Sequence, residues 1–255
     1  MRLSEIEEAL TLGKCTPALM EQFRTALRRA PADMRPQHCF TTAAAMPQWC
    51  FPMAKELIEY SLEMDGTWTD RMRAHATLAD LYEKQGDYQN ALCQFQLALD
   101  AMPAERKPDY APDSAARMLV CQLHLDSFTY SEELRRLYAE AQKLDHFSRS
   151  FQKCRFYLSL TQILLSIHDG DLPSARTAYE QASAMLRPGA EGPITALLKR
   201  KNYIESTGAT KEALSFLKQI KAQQAPRLLR HRRHPGGRAD HLRLTPPTPE
   251  YQKDL

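Results

Sequence analysis

Residues 75–103, HATLADLYEKQGDYQNALCQFQLALDAMP, constrain the fold more than any other stretch. Leu78, Leu81 and Tyr82 fall on one face of a helix. Gly86 lets the chain turn at low steric cost, and Asp87 is placed to cap the next helix. Ala91, Phe95, Ala98 and Leu99 then recur at three- and four-residue spacing, which makes one apolar stripe on that second helix. The alanines allow close helix approach and Phe95 fills the gap between helices. Pro103 stops the run because it cannot continue the hydrogen-bonded ladder. The product is an antiparallel helix hairpin with more apolar surface than it can bury alone.

These residues also resemble a tetratricopeptide repeat. Leu78, Ala79, Tyr82, Gly86, Tyr88, Ala91, Phe95, Ala98 and Pro103 are in register with that family's unit of about 34 residues, with His75 in place of the usual tryptophan and Ala79 in place of glycine. Weaker copies occur later in the chain. Gly170, Leu172, Ala175, Tyr179 and Ala182 keep the same offsets, as do Gly208, Ala213 and Leu217. In all three places glycine precedes the key alanine by five residues. Phe23, Ala26 and Pro31 supply a second-helix register after LSEIEEAL, and divergent units are read at 34–66 and at 113–146, the latter with Tyr138 and Ala141. The resemblance implies an all-α, right-handed superhelical solenoid of about six antiparallel helix hairpins over residues 3–223. The domain boundary is set at 1–223, with 224–255 as a separate tail. AERKPDYAPDS at 104–114 and RPGAEGP at 187–193 read as lengthened loops between units.

Composition agrees with a helical, globular chain. Apolar residues make up 43% and charged residues 25%, glycine appears nine times in 255 residues, and no alternating run suggests a strand. The six cysteines (Cys15, Cys39, Cys50, Cys93, Cys121, Cys154) form no CxxC pair and lack histidines at zinc spacing, so reduced thiols acting as small apolar residues are expected. The N-terminal MRLSEIEEAL is too charged for a secretory signal. The most apolar helix, FYLSLTQILLSI at 156–167, is too short to cross a bilayer. No membrane association and a cytoplasmic location are expected.

Catalysis has no visible constellation. GxGxxG, GxxxxGK, HExxH and GxSxG are all absent. Glu7–Glu8 and Glu132–Glu133 belong to solvated helix faces. His124 and His168 close apolar helix stretches, where the helix C-terminus or solvent accounts for them. The Cys39 and Cys50 region, HCFTTAAAMPQWC, is the one place for a reactive thiol beside His38, and packing explains it more simply. The expectation is a non-enzymatic chain with no cofactor and no metal.

Family similarity further implies that a peptide or protein segment lies along a concave groove lined by the first helices. Transferred by register, the groove residues are Arg73, Ala76, Thr77, Asp80 and Lys84 in the third unit and Leu119, Val120, Leu123 and Asp126 in the fourth. The fifth contributes Tyr157, Leu160, Thr161, Leu164 and His168, and the sixth Lys199 and Asn202. The carboxylate clamp of chaperone-binding members is missing, because Ala76 and Asp80 occupy its positions. An apolar groove with a mixed polar rim suits an amphipathic helix or hydrophobic peptide. Packing between repeats is the competing role for Leu119, Leu123, Leu160 and Leu164.

The last helix, KEALSFLKQIKAQQ, keeps Leu214, Phe216, Leu217 and Ile220, more apolar surface than a terminal helix needs. A second copy, the tail, or a further domain would cover it. The last of these matches bacterial signalling proteins in which such arrays precede an output domain. Between 224 and 255 there are seven Lys or Arg against three acids, so this segment carries +4 and the preceding 223 residues sum to −1. A disordered extension is the expectation there. The alternative function is a nucleic-acid-associated regulator using this basic tail, although no aromatics interleave with its arginines. The leading expectation is a scaffold or adaptor that holds a protein segment, alone or as the regulatory half of a larger signalling protein.

Overall fold

The structure, a computed structural model, describes residues 1–185, all within one unit spanning Met1–Leu214. Ten α-helices succeed one another: α1 (Leu3–Thr11), α2 (Pro17–Leu27), α3 (Arg35–Ala45), α4 (Phe51–Leu62), α5 (Trp68–Gln85), α6 (Tyr88–Asp100), α7 (Lys107–Leu125), α8 (Glu132–Ala141), α9 (Arg149–His168) and α10 (Leu172–Met185). Among the described residues there is no strand, so this part of the chain is all-α. Also among them, no helix is long and apolar enough to cross a membrane. The sixth helix pair, the 187–193 loop and the 224–255 tail lie outside the described residues.

The stretch 75–103 forms most of α5 and all of α6. Gly86 takes φ +78°, and a Cβ added there would meet nothing within 4 Å, so backbone conformation rather than crowding selects glycine. Asp87 accepts a hydrogen bond from the Asn90 N–H at 3.2 Å and starts α6. At the other end of α5, Thr67 and Asp70 cap each other reciprocally: the Asp70 N–H donates to Thr67 Oγ1, and the Thr67 N–H to Asp70 Oδ2. Gly170, at φ +75°, and Asp171, which accepts from the Ser174 N–H, repeat the same turn between α9 and α10.

Helices pack as sequential pairs, α1 with α2 through to α9 with α10, and each second helix from α4 onward packs on the next first helix. Side-by-side contacts also join α1 to α3, α3 to α5 and α7 to α9. Ala91 and Ala98 are buried between α6 and its neighbours, and Phe95 fills the space between them. At the N-terminal end, Ile6, Leu10, Phe23, Leu27, Leu57 and Ile58 share one core. α9 is enclosed on nearly every side, since Phe156 through Thr161 are all buried.

Two expectations fail here. The segment 104–114 is not a long loop, because α7 starts at Lys107. Pro108 sits in the first turn, where its missing N–H has no helical partner to lose, and Pro112 forfeits only the bond to the Pro108 carbonyl. The cysteines are not all free either. Cys15 and Cys50 form a disulfide across 35 residues, with Cα atoms 6.3 Å apart, inside the roughly 4.4–6.8 Å that such a bond spans. It ties the α1–α2 turn to the short 3-10 turn Gln48–Cys50 that precedes α4.

Ala91 has no accessible surface, whereas Gln89 on the same helix is exposed. Ala91→Trp is therefore expected to destabilise the protein by about 1–3 kcal/mol through overpacking, against a near-silent Gln89→Trp. Thermal unfolding of the two variants side by side checks this.

Candidate functional site

On α5, Arg73, Ala76, Thr77 and Asp80 stand at intervals of three and four residues, which sets them along one face. On α7, Tyr110, Asp113, Ser114 and Arg117 repeat the same intervals. These two faces line one cavity of about 1,090 Å³. Phe95, Ala98 and Met102 of α6 and its C-terminal turn contribute, as do Phe40 and Ala44 of α3 and Glu140 of α8. Phe95, Ala98, Met102 and Phe40 are buried, so the cavity has an apolar floor under a polar rim.

A charge cluster crosses one end of the groove. Arg117 Nε lies 3.1 Å from Asp113 and its Nη1 3.3 Å from Asp80, with the guanidinium over the Phe95 ring at 5.7 Å. From α9, Lys153 Nζ approaches Asp80 at 3.1 Å and Glu83 at 3.7 Å. Glu83 is only 2% exposed, and its Oε1 has no hydrogen-bond partner. Burial raises the Glu83 carboxyl above its ordinary range, and Lys153 only partly offsets that. For Asp80 burial pulls upward too, but Lys153 and Arg117 together outweigh it and hold the carboxyl low. The cluster binds α5, α7 and α9 to one another with its charges turned mostly inward.

The structure places the sequence-based candidates unevenly. Arg73, Thr77 and Asp80 line the cavity, together with Ala76. Lys84 is half-buried at the end of α5, outside the lining. Leu119 and Leu123 are not groove residues: both are fully buried, like Val120, because the face of α7 that meets the cavity is the one carrying Asp113 and Arg117. Asp126 is engaged locally, accepting from Ser131 Oγ at 2.6 Å and from Gln122 Nε2 at 3.1 Å. Tyr157, Leu160, Thr161 and Leu164 are likewise core, packed where α9 is surrounded by other helices. The Thr161 hydroxyl turns back to donate to the Tyr157 carbonyl at 2.9 Å. His168 lies on the surface, stacked on Tyr130 with ring centroids 3.6 Å apart and facing Asp169. Lys199 and Asn202 lie outside the described residues.

Other sequence readings change in detail. Glu7 is not on a free solvated face but meets His38 Nδ1 at 2.6 Å. Cys39 is buried, and burial with the nearby Glu7 pushes its thiol to about 12, so it is held as a thiol and not as a nucleophilic thiolate. His124 does not end a helix in solvent. It stacks on Tyr88 at 4.0 Å and meets Phe128 and Tyr157, an aromatic group shared by α6, α7 and α9. Sequence reasoning does not reach Lys153, Arg117 or Glu83. The one available signal is Glu83 itself, an acid next to Tyr82 and two positions after Leu81, on the apolar side of its helix.

No family model matches this chain, and neither a curated protein nor a solved structure matches it.

Proposed function

We propose that the chain is a non-enzymatic scaffold or adaptor that holds a protein or peptide segment in the groove between α5 and α7. One observation carries this: two helix faces with matched three- and four-residue spacing open on one cavity of about 1,090 Å³ that has a buried apolar floor. A cavity of this size accepts several side chains of a bound segment, and the surrounding polar groups set its register. The neighbouring charges support a binding role over a chemical one, since Asp80, Asp113 and Glu83 are engaged with Arg117 and Lys153 and not turned into the cavity as a free set. In this reading the hairpins are tetratricopeptide-like units, about six of them, stacked in a right-handed superhelix. A cytoplasmic location and a regulatory role complete it.

A photo-crosslinking amino acid at Thr77 or Ser114 tests the proposal in cells. Both positions are expected to capture the same protein, and Gln89, on the exposed side of α6, is expected to capture none of it. Adding Arg73→Glu should reduce capture at Thr77. Equal labelling from Gln89 would remove the groove from consideration.

A further inference from the structure

We infer that the Cys15–Cys50 disulfide is a redox latch that controls the order of the C-terminal end of α5. The two cysteines differ in burial: Cys15 is half-buried against the N-terminal core, whereas Cys50 is only 3% exposed. Between them sits an apolar tip. Trp49 is 75% exposed, yet its ring lies directly on Gly13, where an added Cβ would come within 2.7 Å of it. Pro47 and the Trp49 ring both rest on Gly13, and the disulfide adds a covalent tie to this packing of the Gln48–Cys50 turn on the α1–α2 turn. The same short turn is bonded to α5. Gln48 Nε2 donates to the Lys84 carbonyl at 2.6 Å, and Gln85 Nε2 donates to the Gln48 carbonyl at 3.2 Å. The chain of contacts therefore runs from the disulfide, through one turn, to the last residues of the helix that lines the groove.

The switching step is thiol–disulfide exchange with a low-molecular-weight thiol. The thiolate attacks Cys15 Sγ, a mixed disulfide forms there, the Cys15–Cys50 bond breaks, and Cys50 leaves as a thiolate that takes up a proton. A second thiol attacks the small-molecule sulfur of the mixed disulfide and releases Cys15 as a thiol. The protein gains two electrons and two protons, and the reductant leaves as its own disulfide. In a reducing compartment disulfides are usually transient and sensing rather than permanent. Cys39, Cys121 and Cys154 are buried and stay out of the exchange.

Three readouts on the full chain test this. After mild oxidation, denaturation and alkylation, four cysteines should be labelled, rising to all six once dithiothreitol is added. Hydrogen exchange should report the reach of the latch at the amides of Gly86 and Asp87, which bond to the Glu83 and Tyr82 carbonyls. Those amides are expected to exchange about tenfold faster in the reduced protein than in the oxidised one. In a Trp68→Phe background, Trp49 emission should shift between the two forms. Cys15→Ser should behave like the reduced protein in either condition, and Cys93→Ser should keep the full response. Six labelled cysteines after oxidation would overturn the inference. So would identical exchange at Gly86 and Asp87 in the two redox forms.

Discussion

Lys153→Met is expected to destabilise the protein by about 3–5 kcal/mol, the loss typical when one partner of a buried ion pair is removed. At about 2–4 °C per kcal/mol for a chain of this size, its melting temperature should fall by on the order of 10 °C. The reason is local. The ammonium faces two carboxylates, Asp80 at 3.1 Å and Glu83 at 3.7 Å, and Glu83 is almost wholly out of water. Methionine fills the volume but leaves both acids with less compensation. Adding Glu83→Leu should therefore return part of the loss, as a double-mutant cycle would measure. The pH dependence has a definite sign. Asp80 is held below its ordinary 3.8, so its contribution is present above that value and disappears as pH falls through the folded value. Lys153, raised by Asp80 and Glu83 against the pull of burial, contributes below its ordinary 10.5 and loses this as pH rises through the folded value. Glu83 behaves oppositely to Asp80: its raised carboxyl favours the folded state most below its ordinary 4.5 and costs stability as pH climbs. The gap between wild type and Lys153→Met should thus be broad through neutral pH and narrow on acidification. A gap independent of pH would mean that Lys153 acts only through its methylenes.

Phe95→Ala should cost a similar amount, about 3–5 kcal/mol, for a different reason. The ring is 2% exposed, separates α6 from α7, and supports the Arg117 guanidinium from below. Its removal leaves a hole under the groove floor and frees Arg117 to move off Asp80. Leu97→Ala, two residues away at 40% exposure, should change stability by no more than about 0.5 kcal/mol. Capture from a crosslinker at Thr77 should drop in Phe95→Ala and persist in Leu97→Ala. Denaturant unfolding and crosslinking on the same preparations separate lost stability from a lost groove.

The helix pairs are readable in the sequence wherever a local steric rule decides the outcome. Gly86 must take a left-handed backbone, Asp87 can reach the Asn90 amide, and Ala91 permits close approach, all within a few residues. The α5 face is readable for the same reason, since Arg73, Ala76, Thr77 and Asp80 keep helical spacing from one well-marked turn. The α7 face is not. Pro108 and Pro112 look like loop punctuation, and only the surrounding packing shows that a helix start tolerates them. A misplaced start for that helix turns Leu119 and Leu123 outward, the reverse of where they lie. α9 conceals its orientation because Ser159, Thr161 and Ser166 are buried along with its apolar residues, so polarity does not mark the solvent side. The contacts that hold α5 to α9 and Cys15 to Cys50 join residues 73 and 35 positions apart, and no spacing rule reaches that far.

Chains of stacked hairpins can ordinarily be shortened by whole units, since each unit touches only its neighbours. Lys153 removes that freedom here. It starts in the fifth hairpin, passes the fourth, and ends on two acids of the third. A truncation at residue 103 or at residue 146 would keep Asp80 and Glu83 while discarding their ammonium. Keeping this cluster intact requires the third, fourth and fifth hairpins together, so a fragment that preserves it has to include α5 through α9.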